Sequence, residues 1–403
     1  MRRYRILLLL LLTMPINLLH ATEHNDSLAT EEAGEKRIDI RLSTTNTTDS
    51  ALTARRAIDG EQPVQPLNIS IGTRKLTLFG YAQTQYQLTH NMASEGIPAS
   101  NTNEFNMTRV ILMANAELTK QLSFFLMIDA ASTQSSKHLH EYYAQYAFSP
   151  AIKLRLGQFK QPFTLENIIA PTLLGTVNLN ECTRYMAGIA GDPLQGNNVG
   201  RDMGFMLTGD LLLASDGHRR INYSLGVFNG AGINQKENNS QKDIIGMLNY
   251  LPWAPLTVST SFILGTGHAL TDDPYGLIAA GNDYSRRRWS VGAEWKQGKL
   301  MVRSEYMRGW NAHRRSEGFY AEAWYRLLPH LDLVLDYDYL NKNLDLNAEG
   351  QAAYPAYTAT HNYLVGLQYW IYKACRLSTQ YIINDRRTGS DSHVWLTQMQ
   401  IAF

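Results

Sequence analysis

From Arg74 onward the chain alternates apolar and polar residues with a period of two, in stretches of about ten residues broken by turn residues. Leu331, Leu333, Leu335, Tyr337 and Tyr339 fall on one face, while Asp332, Val334, Asp336 and Asp338 fall on the other. Trp289, Val291, Ala293 and Trp295 oppose Ser290, Gly292, Glu294 and Lys296. Phe319, Ala321, Ala323, Tyr325 and Leu327 oppose Tyr320, Glu322, Trp324 and Arg326. Ile152, Leu154 and Leu156 oppose Lys153, Arg155 and Gly157. Successive strand residues point to opposite faces, so these stretches predict β-strands with one apolar and one polar face. A soluble sandwich alternates too, with its apolar face inward. Here Trp289, Trp295, Tyr325, Tyr337 and Tyr339 lie near strand ends on the apolar face, as aromatic girdles around a lipid-facing band do.

The connections alternate short and long. Short ones fall near Thr119-Lys120, Ser149-Pro150, Ser215-Asp216-Gly217, Leu251-Pro252-Trp253, Gln297-Gly298, Leu328-Pro329 and Tyr372-Lys373. Long ones fall near 90–104, 131–138, 161–198, 230–241, 266–285, 310–316, 341–358 and 385–392. Seven short and eight long connections imply 16 strands with both ends on the short-turn side. The expected fold is all-β, a transmembrane antiparallel barrel, in which 161–198 is the long third connection. In the last strand Trp395, Met399, Ile401 and Phe403 share one face, and a terminal Phe on such a strand is expected to address the outer-membrane assembly machinery.

The N-terminus sets the compartment. Arg2, Arg3 and Arg5 precede the apolar run Ile6–Leu12, and Ala21 offers a small residue for cleavage. Residues 1–21 therefore read as a secretory signal peptide. Residues 22–72 are polar and lack alternation, so they are expected to be a periplasmic extension, largely disordered. The barrel is expected over 73–403. After the leader no apolar run reaches helical membrane length, and only helices and closed barrels satisfy every backbone group in lipid. The whole chain has 403 residues and a formal charge of +1; removing three leader arginines leaves 1 − 3 = −2. Such a balance speaks against a nucleic-acid partner. Cys182 and Cys375 are too few for a disulfide framework and are expected to lie apart, and no Cys/His spacing suggests zinc. No cofactor is called for.

The stretch Arg109–Glu166 resembles the phosphate-selective porin O/P family. The matching pieces are Arg109-Val110-Ile111-Leu112, Leu122–Asp129, Glu141–Tyr146 and, most specific, Gly157-Gln158-Phe159-Lys160-Gln161-Pro162-Phe163 with Glu166 soon after. The resemblance implies a homotrimer of 16-stranded barrels in a bacterial outer membrane, each with a third loop narrowing the lumen. It also implies anion selectivity carried by lumen arginines and a constriction lysine cluster.

The best-motivated pore-lining residues are Arg155 and Lys160, followed by Lys153, Arg109, Arg184 and Arg303. For Arg155 the plainer alternative is a cross-strand pair with Glu141 or Asp129. The polar faces hold at least as many acids as bases, among the acids Glu117, Asp129, Glu141, Glu294, Glu305 and Glu322. Arg286, Arg287 and Arg288 are expected at an outer rim, as a solvated cluster or a patch for lipopolysaccharide. Asp332, Asp336 and Asp338 read as a wet lumen wall, with a cation site as the sharper alternative. The function expected is passive diffusion of small hydrophilic solutes or anions, with outer-membrane lipid around the wall. A structural or adhesive barrel with an occluded lumen is the alternative. An enzyme is not expected, since the 11 His are scattered and no Gly-x-Ser-x-Gly elbow occurs.

Overall fold

Strands account for almost all regular structure, and they pair only with antiparallel neighbours. The computed structural model describes residues 67–403 apart from 72–73, 95–97, 133–137, 193, 197, 274–277, 373 and 388. The leader 1–21 and the polar stretch 22–66 lie outside the described residues. A short strand, β1 (Leu67–Ile71), comes first. It falls within the stretch read as an extension, where Leu67, Ile69 and Ile71 alternate briefly.

Sixteen strands then build the wall. They are β2 (Arg74–Asn91), β3 (Ser100–Glu117), β4 (Leu122–Asp129), β5 (Leu139–Ser149), β6 (Ile152–Lys160) and β7 (Arg201–Leu213). Next come β8 (Arg219–Phe228), β9 (Asp243–Trp253), β10 (Leu256–His268), β11 (Asp283–Gln297) and β12 (Leu300–Asn311). The last are β13 (Arg314–Leu328), β14 (Leu331–Asn341), β15 (Ala359–Tyr372), β16 (Cys375–Arg386) and β17 (Ser392–Ala402). Helices α1 (Glu181–Met186) and α2 (Ala348–Ala353) occur in connections. Each wall strand pairs with the next, and β17 returns to β2 in register from Ser392↔Asn91 to Ala402↔Tyr81, so the barrel is closed. The seam is finished by reciprocal backbone bonds between Gly80 and Phe403, at 2.9 and 3.0 Å. Gly80 is required there: a Cβ would meet Ile111 O at 2.4 Å and the Phe403 ring at 2.8 Å.

The expected strand count and the seven short turns stand. One connection differs: between β12 and β13 only Ala312 and His313 intervene, with Ala312 at φ 52°. The polar residues that suggested a loop over 310–316 belong to strands. Arg314 points inward to Asp273, and Arg315 points outward to Asp345.

The barrel is inside-out relative to a soluble protein. Leu335, Val365, Trp395 and Ile401 are each about half exposed, at 48–49%, on the outer face. Gln83, Gln400 and Arg303, on the opposite face, are 0–3% exposed. That parity corrects the expected basic rim. Arg286 and Arg288 alternate with outward Arg287 and Trp289, so they face inward, where they pair with Asp243 and Asp192. Both cysteines are free.

Residues 161–198 pack against this inward, polar face. Phe163, Cys182, Tyr185, Met186 and Ala187 join inward Phe159, Met206, Phe228, Ile245, Ile263, Met307, Tyr320 and Leu340 in the largest apolar cluster.

Candidate pore lining and constriction

An irregular segment leaves its own amides and carbonyls without partners, and buried ones must find them. The inner wall supplies both kinds. Carboxylates take the amides of the 161–198 segment. The Leu165 amide donates to Glu305 at 2.9 Å, and the Thr176 amide to Glu322 at 3.2 Å. At the start of α1 the amides of Glu181 and Cys182 donate to Asp338 at 2.7 and 3.2 Å. Donor side chains take the carbonyls. Arg376 donates to Leu174 O at 2.6 Å, and Gln368 and Gln380 donate to Gly175 O at 3.0 and 2.8 Å. Arg288 donates to the carbonyls of Tyr185 and Met186 at the end of α1 and pairs with Asp192 at 2.9 Å. Much of the mixed charge of the polar faces is therefore spent on seating this segment. Gly175 permits the closest approach, since a Cβ there would meet Trp324 Nε1 at 1.7 Å.

Asp332, Asp336 and Asp338 are accordingly no wet wall. All three are buried; Asp332 is held by Arg326 and by Trp370 Nε1, and Asp338 also accepts from Asn362. Among the described residues no group of three or more His, Cys, Asp or Glu is placed to hold a metal ion.

The six expected pore residues separate into two kinds. Arg303, 3% exposed, lies between Glu294 and Glu322, 2.9 Å from each, and braces the wall. The Lys160 ammonium is 2.6 Å from Asn167 O and 2.8 Å from Ile169 O, holding the start of the segment. The other four, partly exposed as Lys160 also is, do not hold the segment's backbone. Arg109 donates to Gln83 Oε1 at 2.8 Å. Arg155 donates to Gln145 Oε1 at 2.8 and 3.1 Å, and its guanidinium lies 4.1 Å from the Tyr143 ring centroid. Neither expected carboxylate partner of Arg155 is used: Glu141 pairs with Arg201 at 2.8 Å, and Asp129 faces His140. Lys153 pairs with Asp210 at 3.2 Å. Arg184 stands on α1, and its charge and that of Arg201 act on Arg109. Among the described residues, Arg109, Arg155 and Arg184 form no ion pair with a carboxylate.

The sequence reading passed over an amide-rich seam. Gln83 and Gln400 bond at 2.9 Å, and Gln398 reaches Gln85 at 3.4 Å. Alternation of Gln83, Gln85 and Gln87 in β2 was its signal. Glu166, noted in the sequence only as the residue that follows the Gly157–Phe163 run, accepts from the Asn180 amide and side chain at 3.1–3.3 Å. Burial pushes the Glu166 carboxyl up to about 8, and repulsion from Glu322 adds to the rise against bonds from Thr183 and Asn180 and the charge of Arg303.

The Arg288 clamp gives a stability prediction. Arg288→Ala strips buried Asp192 of its cation, and orphaning one member of a buried pair costs about 3–5 kcal/mol. Urea unfolding followed by tryptophan fluorescence is expected to show that loss; an unchanged midpoint would refute the clamp.

A closed, 16-stranded antiparallel wall with apolar residues outside and a charged, loop-bearing inside defines an outer-membrane barrel of the porin type. Residues 82–243, from β2 to the start of β9, match the family described as phosphate-selective porin O and P. No curated protein matches the chain in sequence. Solved structures agree in fold. An anion-selective porin from Comamonas acidovorans superposes with a TM-score of 0.58 at 12% identity, covering 82% of this chain and 100% of its own. OmpF of Salmonella typhi in complex with daunomycin gives 0.57 at 12% identity, with coverages of 83% and 100%. The trimer form of OmpT, an outer membrane protein of Vibrio cholerae, gives 0.53 at 12% identity, with coverages of 81% and 99%.

Proposed function

We propose that this protein is a passive outer-membrane pore for small hydrophilic solutes, that segment 161–198 narrows its lumen, and that it prefers anions. The observation that carries the preference is a segregation of charge. Glu305, Glu322 and Asp338 lie behind the segment, each no more than 2% exposed and bonded to its amides. Arg109, Lys153, Arg155 and Arg184 stay partly exposed, and among the described residues only Lys153 of these pairs with a carboxylate, so we take them as the charges that solutes meet. A permeating ion responds to the charge lining its path rather than to the total. The near-equal count of acids and bases in the sequence therefore understates the anion preference. The reading assigns no catalytic residue.

The test is reversal potential in planar bilayers across a KCl gradient, with phosphate as a competing blocker. Chloride preference supports the reading, and cation preference overturns it. A second reading, a structural barrel with a blocked lumen, draws on the dense burial of the segment: Phe163, Leu165, Leu174, Cys182 and Met186 are each 0% exposed. Absence of any conductance would favour it.

The same reading has residues 1–21 removed as a signal peptide, with Phe403 addressing the assembly machinery. It has outer-membrane lipid and lipopolysaccharide around the wall and three copies per assembly. The trimer form of the Vibrio cholerae relative supports the last point.

A further inference from the structure

Behind the 161–198 segment five carboxyls meet in a space almost closed to water. Glu166 comes from the segment, Glu305 from β12, Glu322 from β13, and Asp336 and Asp338 from β14; none is more than 8% exposed. Two cations face Glu166. Arg303 of β12 is already shared between Glu294 and Glu322, and Lys160 of β6 is held by two carbonyls. The remaining groups facing Glu166 carry no positive charge. They are Tyr320 of β13, Cys182 and Thr183 of α1, and Asn180 just before it. Asp336 Oδ1 is buried without a hydrogen-bond partner. The acids are not arranged to share a metal ion. Arg376 of β16 acts on Glu322 as well, so five carboxyls meet three cations in a dry space; the excess negative charge is repulsive, and bound protons relieve it.

We propose that this cluster is a proton-held latch: with protons bound it seats the segment on the β12–β14 wall, and their loss releases the segment into the solute path. The release rests on the burial and crowding described above. Only its effect on transport rests on the pore reading. The direction with pH follows from Glu166. Seated, its carboxyl titrates at about 8 against an ordinary 4.5, so the seated form binds the proton more tightly. Seating is therefore fully favoured below about 4.5, and that advantage is lost as pH rises to about 8, by up to about tenfold per pH unit. A released segment moves off the acidic wall toward Arg109 and Arg155, which attract the new carboxylate.

Cys182 is a built-in reporter. It is fully buried on α1, its amide bonded to Asp338, and a Cβ on Gly318 would meet its own Cβ at 2.5 Å. In a full-length Cys375→Ser background Cys182 is the sole thiol. Its maleimide labelling rate at pH 5.5 and pH 8, each divided by the rate for the same protein unfolded in guanidinium at that pH, removes the thiol's own ionisation. The expected ratio rises at least tenfold between the two pH values in the parent and stays flat in Glu166→Gln, which mimics the protonated acid. Equal ratios in the parent, or the same rise in Glu166→Gln, would overturn the latch. Should Glu166→Gln fail to fold, Asp336→Asn removes a buried carboxylate whose Oδ1 has no partner and is expected to lessen the rise; an unaltered rise counts against the latch. Bilayer conductance of the parent is expected to fall from pH 5.5 to pH 8. Silence at both pH values would sink the pore reading while the labelling still judges the latch.

Discussion

Replacing Arg109 and Arg155 together by Glu is expected to reverse the ion preference, changing the sign of the reversal potential in a KCl gradient. The two guanidiniums stand on β3 and β6, are partly exposed, and bond only to neutral glutamines, Gln83 and Gln145. Asp129 acts on Arg109 from a distance, but neither guanidinium is in an ion pair with a carboxylate, so inverting them inverts the local field. Measurement at about 0.1 M salt keeps the Debye length near 10 Å, long enough for wall charges to be felt across a narrow path. Gln145 can turn its amide nitrogen toward a Glu at 155, so the wall accepts the change. The lost contact with the Tyr143 ring costs only about 0.5–1 kcal/mol. Arg315→Gln is the control, because Arg315 lies on the outer face beside Asp345 and is expected to leave the potential unaltered. A double Glu variant with the parent's potential would show that solutes do not pass these residues.

Excising residues 163–196 and joining the ends by a short Gly/Ser turn is expected to raise single-channel conductance several-fold and to shift preference toward cations. The cut is feasible because Lys160 and Arg201 already pair across β6 and β7, so a tight turn can link them. The segment covers inward residues on β10 to β17, among them Ser261, Glu305, Glu322, Asp338 and Gln380. Its removal widens the path and also bares carboxylates that now serve as amide acceptors. A shift to cations is the more telling result, since mere widening would reduce selectivity without changing its sign. The variant also exposes Met206, Ile245 and Ile263 to the lumen, so lower thermal stability is expected alongside. Unchanged conductance would mean that the segment does not restrict flow.

The barrel was legible because its signal is local. A period of two can be counted within one strand, and the short turns stand out as pairs such as Gln297-Gly298. Inner and outer faces followed from the same parity, and carrying it back from Trp289 would have turned Arg286 and Arg288 inward. The partners of the third connection were not legible. Leu165 and Glu305 are 140 positions apart, and Leu174 and Arg376 are 202 apart. No periodicity links residues at such separations, so acids and bases on the polar faces looked like one mixed lining. Folded, they divide into charges that satisfy a buried backbone and charges that face the path. Lys160 and Arg303, read as pore charges from their residue type, belong to the first kind.

The seam between Gly80 and Phe403 also sets an order of events. The closing strand β17 pairs with β2, the first wall strand, so their pairing spans nearly the whole described chain. Contacts of such separation carry the largest loop-closure cost and form late. Until Phe403 docks, two strand edges stay unpaired, each able to template association with another chain. Completion of this barrel is thus an all-or-nothing step, and a chain lacking β17 has no wall that can close in this register.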